Sequence, residues 1–490
     1  MLMTFFLSRG WESWDLEFRP LIPERMPVLV DDDLRFEDGP GAPRASAAVN
    51  RWLRELPASG APSPKSWEYY ARVVKEWMEF LAVHGVGLFG LREQLKMALG
   101  KYAEHRAAGP AKSRLVATTW GQHMSILSSF YRWAIEEGLA EAEPFTYRIA
   151  RALFNGTGRQ VRVNLAVRRT PKPHVTIKYL DSDFAELFLN ALGGLARNGS
   201  PDAGYRGREL ARNSAVGGLA LATGLRLQEF SYLLAYEIPA LPPQPTTAPI
   251  PFPVPAGVAK GRKFRTTWIS YEALAAVHQY LDLDRAATAD GSAWRPPQRQ
   301  GEPLMVTDPD HRGGRINGVR RQWDPLTPAE RSRLVAPGGG SCLLAVRGGG
   351  GPFTAWPTVF ERTSDRIRAG IEPRFPHVNP HRLRHSFSIR TLERLVGGHY
   401  ARAARLVAGT GPDAALAFYL SKADPLMVLR DLLGHSSTLT TEKYLRRLDT
   451  TRIYREAYEQ AGSAGDLLEG EDATAEREAA AEFGDAGGDL

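Results

Sequence analysis

Apolar residues at steps of three and four dominate residues 63–137, and that spacing commits this stretch to helices. After Ser63 and Pro64, the residues Trp67, Tyr70, Val74, Trp77, Met78 and Leu81 recur on one helical face, and the pattern ends near Gly85. Residues 91–106 repeat the period. Residues 118–137 repeat it again through Trp120, Met124, Leu127, Phe130, Tyr131 and Ala134. About four amphipathic helices over residues 46–156 make a small bundle. Its bases Lys65, Arg72, Lys75, Lys101, Arg106, Lys112 and Arg114 can line one nucleic-acid-facing side, although a solvated helix face is the simpler account.

The rest of the chain divides around this bundle. Residues 1–45 are rich in proline, with a strand-like run from Met26 to Val30, and read as an extended arm. Residues 157–175 are basic, include Arg168, Arg169, Pro171, Lys172 and Pro173, and read as an exposed linker. A larger domain follows over residues 176–460. It opens with helices over residues 181–192, 207–223 and 225–235, then two short strands within residues 253–269 around a turn carrying Lys260, Gly261, Arg262 and Lys263. Helical spacing resumes over residues 271–283. Residues 286–350 are rich in Gly, Pro and Arg. The glycines at 338–340 and 348–351 read as flexible loop, since no strand leads into them and no Lys-Ser/Thr follows to make a phosphate cradle. No internal repeat is apparent. At 490 residues the chain is long enough for two or three domains.

Charge is distributed unevenly. The formal net charge is +7, but residues 466–490 hold nine acids against the single base Arg477, so the remainder carries about +15 and favours a polyanion. That acidic tail reads as disordered. Cys342 is the one cysteine, which excludes a disulfide framework and a cysteine-based metal site and fits a reducing compartment. The apolar run at residues 1–7 is too short for a signal core or a membrane span, so a soluble cytoplasmic protein is expected.

Three patches carry chemistry. In the first, Thr223 and Gly224 punctuate two helical segments and place Arg226 at the first turn of the second, near its positive end. Glu229, three residues on, can hold that guanidinium in place for a phosphate. In the second, Asn379 caps a helix that begins with Pro380, and His381 and Arg384 share a face beside its N-terminus. His381 and His385 stand at the spacing of a zinc pair. The residues between them are Arg382, Leu383 and Arg384, with no glutamate base, and two cations there oppose a divalent metal. In the third, a short amphipathic helix runs from Pro425 to Gly434, His435 follows, and Tyr444 lies nine residues later on a new helical segment that Thr440 or Thr441 can cap. Singly, each patch has an ordinary structural explanation: a surface ion pair, a helix cap, a packed ring.

In kind, order and local spacing, however, Thr223-Gly224-Leu225-Arg226 with Glu229, then His381 with Arg384 and His385, then Leu433-Gly434-His435 with Tyr444, resemble the tyrosine site-specific recombinase (phage integrase) family. The resemblance covers residues 46–460. It implies a mainly α chain with a small β-hairpin or sheet (α+β), made of a helical core-binding bundle and a catalytic domain. It makes Tyr444 the nucleophile, Arg226 and Arg384 the pair that grips the scissile phosphate, and His381 and His435 the accompanying proton-transfer and hydrogen-bonding groups. Lys260, on the hairpin, becomes the acid that protonates the leaving 5′ oxygen, while Lys263 and Arg265 beyond the turn are expected to contact DNA backbone. The chemistry agrees with elementary expectation. Two arginines can stabilise the charge that builds on a phosphodiester without a metal, and a tyrosine with a pKa of about 10 needs a base and a cationic field to attack.

The implied partners are double-stranded DNA carrying specific recombination sites, three further copies of the chain in a tetramer on that DNA, and accessory proteins; no cofactor, metal or membrane is implied. The implied location is the nucleoid of a prokaryotic cell or of its mobile element's host. Two stretches depart from the compact members of the family: the 54 residues from His381 to His435, where residues 397–423 read as an insertion, and the long stretch 286–350. Three rivals are a type IB topoisomerase-like relaxing enzyme, a DNA-binding regulator that has lost activity, and a histidine-based metallohydrolase. Retention of all five of Arg226, His381, Arg384, His435 and Tyr444 argues against the regulator.

Overall fold

The computed structural model describes residues 1–7, 21–37, 43–154, 157–167, 178–410, 425–435 and 441. Tyr444, the 411–423 part of the expected insertion and the acidic tail lie outside the described residues. The chain divides into two compact units, Met1–His174 and Val175–Leu490.

The first unit is the expected helical bundle with two β additions. Strands β1 (Leu2–Phe5) and β2 (Pro27–Val30) pair antiparallel, and β2 lies against helices α1 (Ala45–Glu55) and α2 (Pro64–Val83). The arm is thus fastened to the bundle. Asn50 of α1 acts as a surrogate strand, its side chain accepting from Leu29 N and donating to Leu29 O, both at 2.7 Å. Helices α3 (Arg92–Ala108) and α4 (Ala117–Glu136) complete the bundle. Trp67, Val74, Trp77, Met78 and Leu81 are buried, as are all six periodic residues of α4. Trp77 Nε1 donates to Tyr131 Oη at 2.9 Å, and Tyr131 Oη donates to Leu88 O, so these two large rings are buried without stranding a polar atom. Residues 157–164, read as linker, instead form β4 (Thr157–Asn164), paired antiparallel with β3 (Tyr147–Phe154). Alternating Val161 and Val163 gave a strand signal that the surrounding arginines obscured.

The second unit packs α5 (Ser182–Leu192), α6 (Leu210–Thr223) and α7 (Leu227–Ser231) with the hairpin β5 (Ile250–Val254) and β6 (Arg265–Ile269), followed by α8 (Tyr271–Tyr280). Its core gathers Phe188, Phe230, Trp356, Phe360 and Phe375. The helix read over residues 225–235 is only five residues long, because the chain turns to bury Leu233 and Leu234.

The stretch 286–350 corrects the loop reading. After the short α9 (Ala286–Ala289) come β7 (Leu304–Thr307), β8 (Gly313–Ile316), β9 (Val319–Gln322), the one-turn α10 (Pro328–Arg331) and β10 (Leu334–Val335), with sheet order β10-β7-β8-β9. A second core of Val306, Trp323, Leu326, Leu334, Cys342 and Leu343 sits under that sheet. The buried guanidinium of Arg331 grips both carboxylate oxygens of Glu237, at 2.6 and 2.8 Å, and three backbone carbonyls besides. The glycines are held too: Ser341 N donates to Gly350 O at 2.8 Å and Ser292 Oγ to Gly349 O at 2.6 Å. Strands of two to four residues leave no periodicity for a sequence reading to find.

Helix α11 (Trp356–Gly370) leads to α12 (Pro380–Thr410), a single helix of 31 residues that runs into the first half of the expected insertion. The short helix α13 (Pro425–Leu433) packs on α12 and on β6. No described helix is long and apolar enough to cross a membrane.

Candidate active site

The three sequence patches meet around one buried guanidinium. Arg384, on the second turn of α12, is 3% exposed. Its Nη1 donates to Gly224 O at 2.6 Å and its Nη2 donates to Leu433 O. Both acceptors lie at helix C-termini, where unsatisfied carbonyls concentrate negative charge and welcome a cation. One side chain therefore fastens the turn after α6 and the end of α13 to α12.

The turn after α6 requires glycine. Gly224 has φ 63° and ψ 23°, and a Cβ there would lie 2.3 Å from Phe387 Cδ1. The turn brings Arg226 to the residue just before α7, one position earlier than the first helical turn expected for it. Glu229 then reaches back: its Oε2 accepts from Arg226 N at 2.7 Å and its Oε1 from Arg226 Nη1 at 3.0 Å. The Arg226 side chain remains 27% exposed, whereas Glu229 is 1% exposed.

A second arginine completes this cluster. Arg265 of β6 donates from Nη1 and Nη2 to the two Glu229 oxygens at 2.8 and 2.6 Å, and from Nε to Leu432 O at 3.2 Å. Its side chain is 9% exposed, so it is an internal brace and not the DNA backbone contact expected from the sequence. Arg265 packs so closely on Gly434 that a Cβ there would lie 2.8 Å from its Cδ. Glu229 thus accepts four hydrogen bonds, which fills a carboxylate. Burial pushes its pKa up, but the Arg265 pair and the Arg226 contacts outweigh burial and hold the carboxyl below its ordinary value.

The period-two pattern of β6 was the signal for Arg265. Thr267 and Ile269 on its face are buried, so Arg265 two positions earlier points inward with them.

The histidines stand nearby in the chain. Asn379 Oδ1 accepts from Arg382 N at 2.9 Å, the N-cap expected for α12. His381, one turn before Arg384, is exposed, with its ring centroid 4.2 Å from that of His385. His435 follows Gly434 and is anchored by its backbone N to Arg430 O at 3.0 Å, while its Nδ1 lies 3.0 Å from Thr441 Oγ1. Thr441 is buried and precedes Tyr444 by three residues. Lys260 sits on the exposed connection between β5 and β6, beside Gly261 at φ 74°. Among the described residues no group of three His, Cys, Asp or Glu side chains is arranged to hold a metal ion.

Of the bases proposed for the bundle's nucleic-acid face, Arg72, Lys75 and Arg106 are paired with Glu68, Glu79 and Glu76.

Residues 49–138 match the family model of the phage integrase N-terminal SAM-like domain. No curated protein matches the chain. Among solved structures, XerA recombinase is similar at 18% identity, with 84% of this chain and 98% of that chain covered and a TM-score of 0.31. A pre-cleavage complex of XerH site-specific recombinase bound to difH substrate is similar at 13% identity, covering 85% of each chain, with a TM-score of 0.42. The Tn1549 transposon integrase (residues 82–397) in complex with circular intermediate DNA is similar at 14% identity, covering 81% of this chain and 94% of that chain, with a TM-score of 0.43.

Proposed function

We propose that this chain is a tyrosine site-specific recombinase that cuts and rejoins double-stranded DNA through Tyr444. The observation that carries the reading is Arg384, whose guanidinium joins Gly224 to Leu433 and so gathers three motifs spread over more than 200 residues of chain. The phage integrase domain model matched by residues 49–138 supports it independently.

In this reading the Tyr444 hydroxyl attacks the scissile phosphorus and gives up its proton to His381 or His435. The bond from phosphorus to the 5′ oxygen breaks, and that oxygen takes a proton from the Lys260 ammonium. The product is a 3′-phosphotyrosyl link and a free 5′ hydroxyl. Attack by the 5′ hydroxyl of another strand reverses the step and joins the strands without ATP. Negative charge developing on the non-bridging oxygens is met by Arg226, whose Nε and Nη2 make no hydrogen bond among the described residues, and by Arg384. Glu229 and Arg265 touch no substrate; they fix where Arg226 points. A tetramer on two paired DNA sites, accessory proteins and a cytoplasmic, nucleoid-associated location belong to the same proposal.

The test is covalent trapping on a nicked DNA site. The native chain should accumulate a protein–DNA adduct, and Tyr444→Phe should bind the site and form none. An adduct with the Phe variant would move the nucleophile to another tyrosine, such as Tyr454 or Tyr458.

A further inference from the structure

At the far end of α6 from Arg226 lies a cavity of about 800 Å³ inside the second unit. The helix has 14 residues, so about 20 Å separates the two ends. Six arginines line the cavity, Arg206, Arg208, Arg212, Arg347, Arg362 and Arg366, against a single lining carboxylate, Glu209. Glu209 lies 3.9 Å from Arg212 Nη1, which donates to Val346 O, while Arg212 Nε and Nη2 donate to Asn213 Oδ1. The other five arginines form no ion pair among the described residues.

Arg366 makes the imbalance specific. Its Nη2 donates to Ala191 O and its guanidinium stacks 4.2 Å from the Tyr205 ring centroid, yet its Nε and Nη1 are buried with no hydrogen-bond partner. A buried, unmet N–H on a cation is costly, and structures rarely tolerate one without a ligand to satisfy it. The N-terminus of α6 opens on the same cavity and adds its own preference for negative charge.

We propose that this cavity is an anion site for a phosphate-bearing ligand, distinct from the position of the scissile phosphate. Converging guanidiniums need a partner with more than one charge and several acceptor oxygens. A phosphate provides both, and forked guanidinium donors match its geometry. The phosphate belongs either to a DNA strand passing outside the cleavage site or to a soluble oligophosphate. The inference does not depend on the chain cutting DNA.

The probe is inorganic pyrophosphate with the full chain, read by calorimetric titration and thermal shift. The native protein should bind it and melt at a higher temperature in its presence. The double variant Arg347→Glu with Arg362→Glu changes two exposed rim positions outside the cleavage machinery. It should weaken pyrophosphate binding at least tenfold while keeping the native melting temperature without ligand. If DNA is the source, the same variant also lowers the slope of log K for duplex DNA against log salt by roughly two. If a soluble oligophosphate is the source, that slope is unchanged. The proposal fails if pyrophosphate neither binds nor stabilises and the slope is also unchanged, or if the variant binds pyrophosphate as the native chain does. It fails too if a peptide of residues 466–490 binds this site more tightly than pyrophosphate at equal ionic strength, since the ligand would then be a carboxylate-rich segment.

Discussion

Replacing Glu229 by Gln keeps the shape of the side chain and removes its charge, leaving the Arg226 and Arg265 guanidiniums facing each other around a neutral amide. Glu229 is 1% exposed and accepts four hydrogen bonds, three of them from guanidinium or backbone donors at 2.6–2.8 Å. Breaking a buried pair from one side typically costs about 3–5 kcal/mol, because the remaining charge stays buried without its counter-ion. The carboxyl is held below its ordinary pKa in the folded chain, so the stability it contributes is fully present above the unfolded-state value and disappears as pH falls through the folded-state value. Urea denaturation of the native chain and Glu229→Gln should therefore show a gap of that size at pH 7 in the transition of the second unit. The gap should narrow as pH falls below the ordinary carboxylate range, because the native carboxyl then takes up a proton. A gap that is absent at pH 7, or that persists unchanged in acid, would refute the assignment of Glu229 as the charged centre of this brace.

Two further outcomes separate the groups around the phosphate. Arg226→Ala and Arg384→Ala should each slow cleavage by a factor of roughly 10²–10³ or more, but only Arg384→Ala should also lower stability, by roughly 2–6 kcal/mol, since it leaves the carbonyls of Gly224 and Leu433 without their donor at about 1–3 kcal/mol each; equal melting temperatures would contradict this division. Lys260→Ala should be crippled on ordinary DNA and largely restored on a substrate with sulfur at the 5′-bridging position, which leaves without an acid, and rescue of Lys263→Ala in its place would move the acid three residues along.

Helices α2 and α4 are legible in the sequence because their burial is periodic, whereas the fifteen-residue α11 is not, since Thr363 and Ser364 are two of its five buried positions and interrupt the apolar spacing. Trp67, Val74, Trp77 and Leu81 mark α2 without ambiguity, and Asn379 with Pro380 marks the start of α12 within a residue. The small sheet over residues 304–335 was not legible. Its strands are two to four residues long, two of its eight inner-strand positions at Gly313 and Gly314 have no side chain to show a pattern, and its edge strand β9 is wholly exposed. What holds it is non-local: Arg331 reaches Glu237 across 94 residues of sequence. No window of chain contains both partners.

The candidate site follows the same rule with one difference. Its motifs were found separately because each lies at a helix boundary, where Gly224, Asn379 and Gly434 leave strong local marks. What joins them could not be read locally. Arg384 reaches Gly224 over 160 residues, and Arg265 reaches Leu432 over 167. Arg265 follows Lys260 and Lys263 in a basic turn, and charge in a turn ordinarily faces solvent, which is why the sequence alone points it toward DNA. The strand geometry overrides that expectation. Once β6 begins, alternation decides which way each residue points, and a cation pointing inward needs acceptors waiting there. Glu229 supplies two of them. The carboxylate that orients Arg226 also holds Arg265, and Arg265 in turn ties the hairpin carrying Lys260 to the end of the helix that His435 follows, so the surroundings of three groups assigned to proton and phosphate chemistry meet at one buried ion pair.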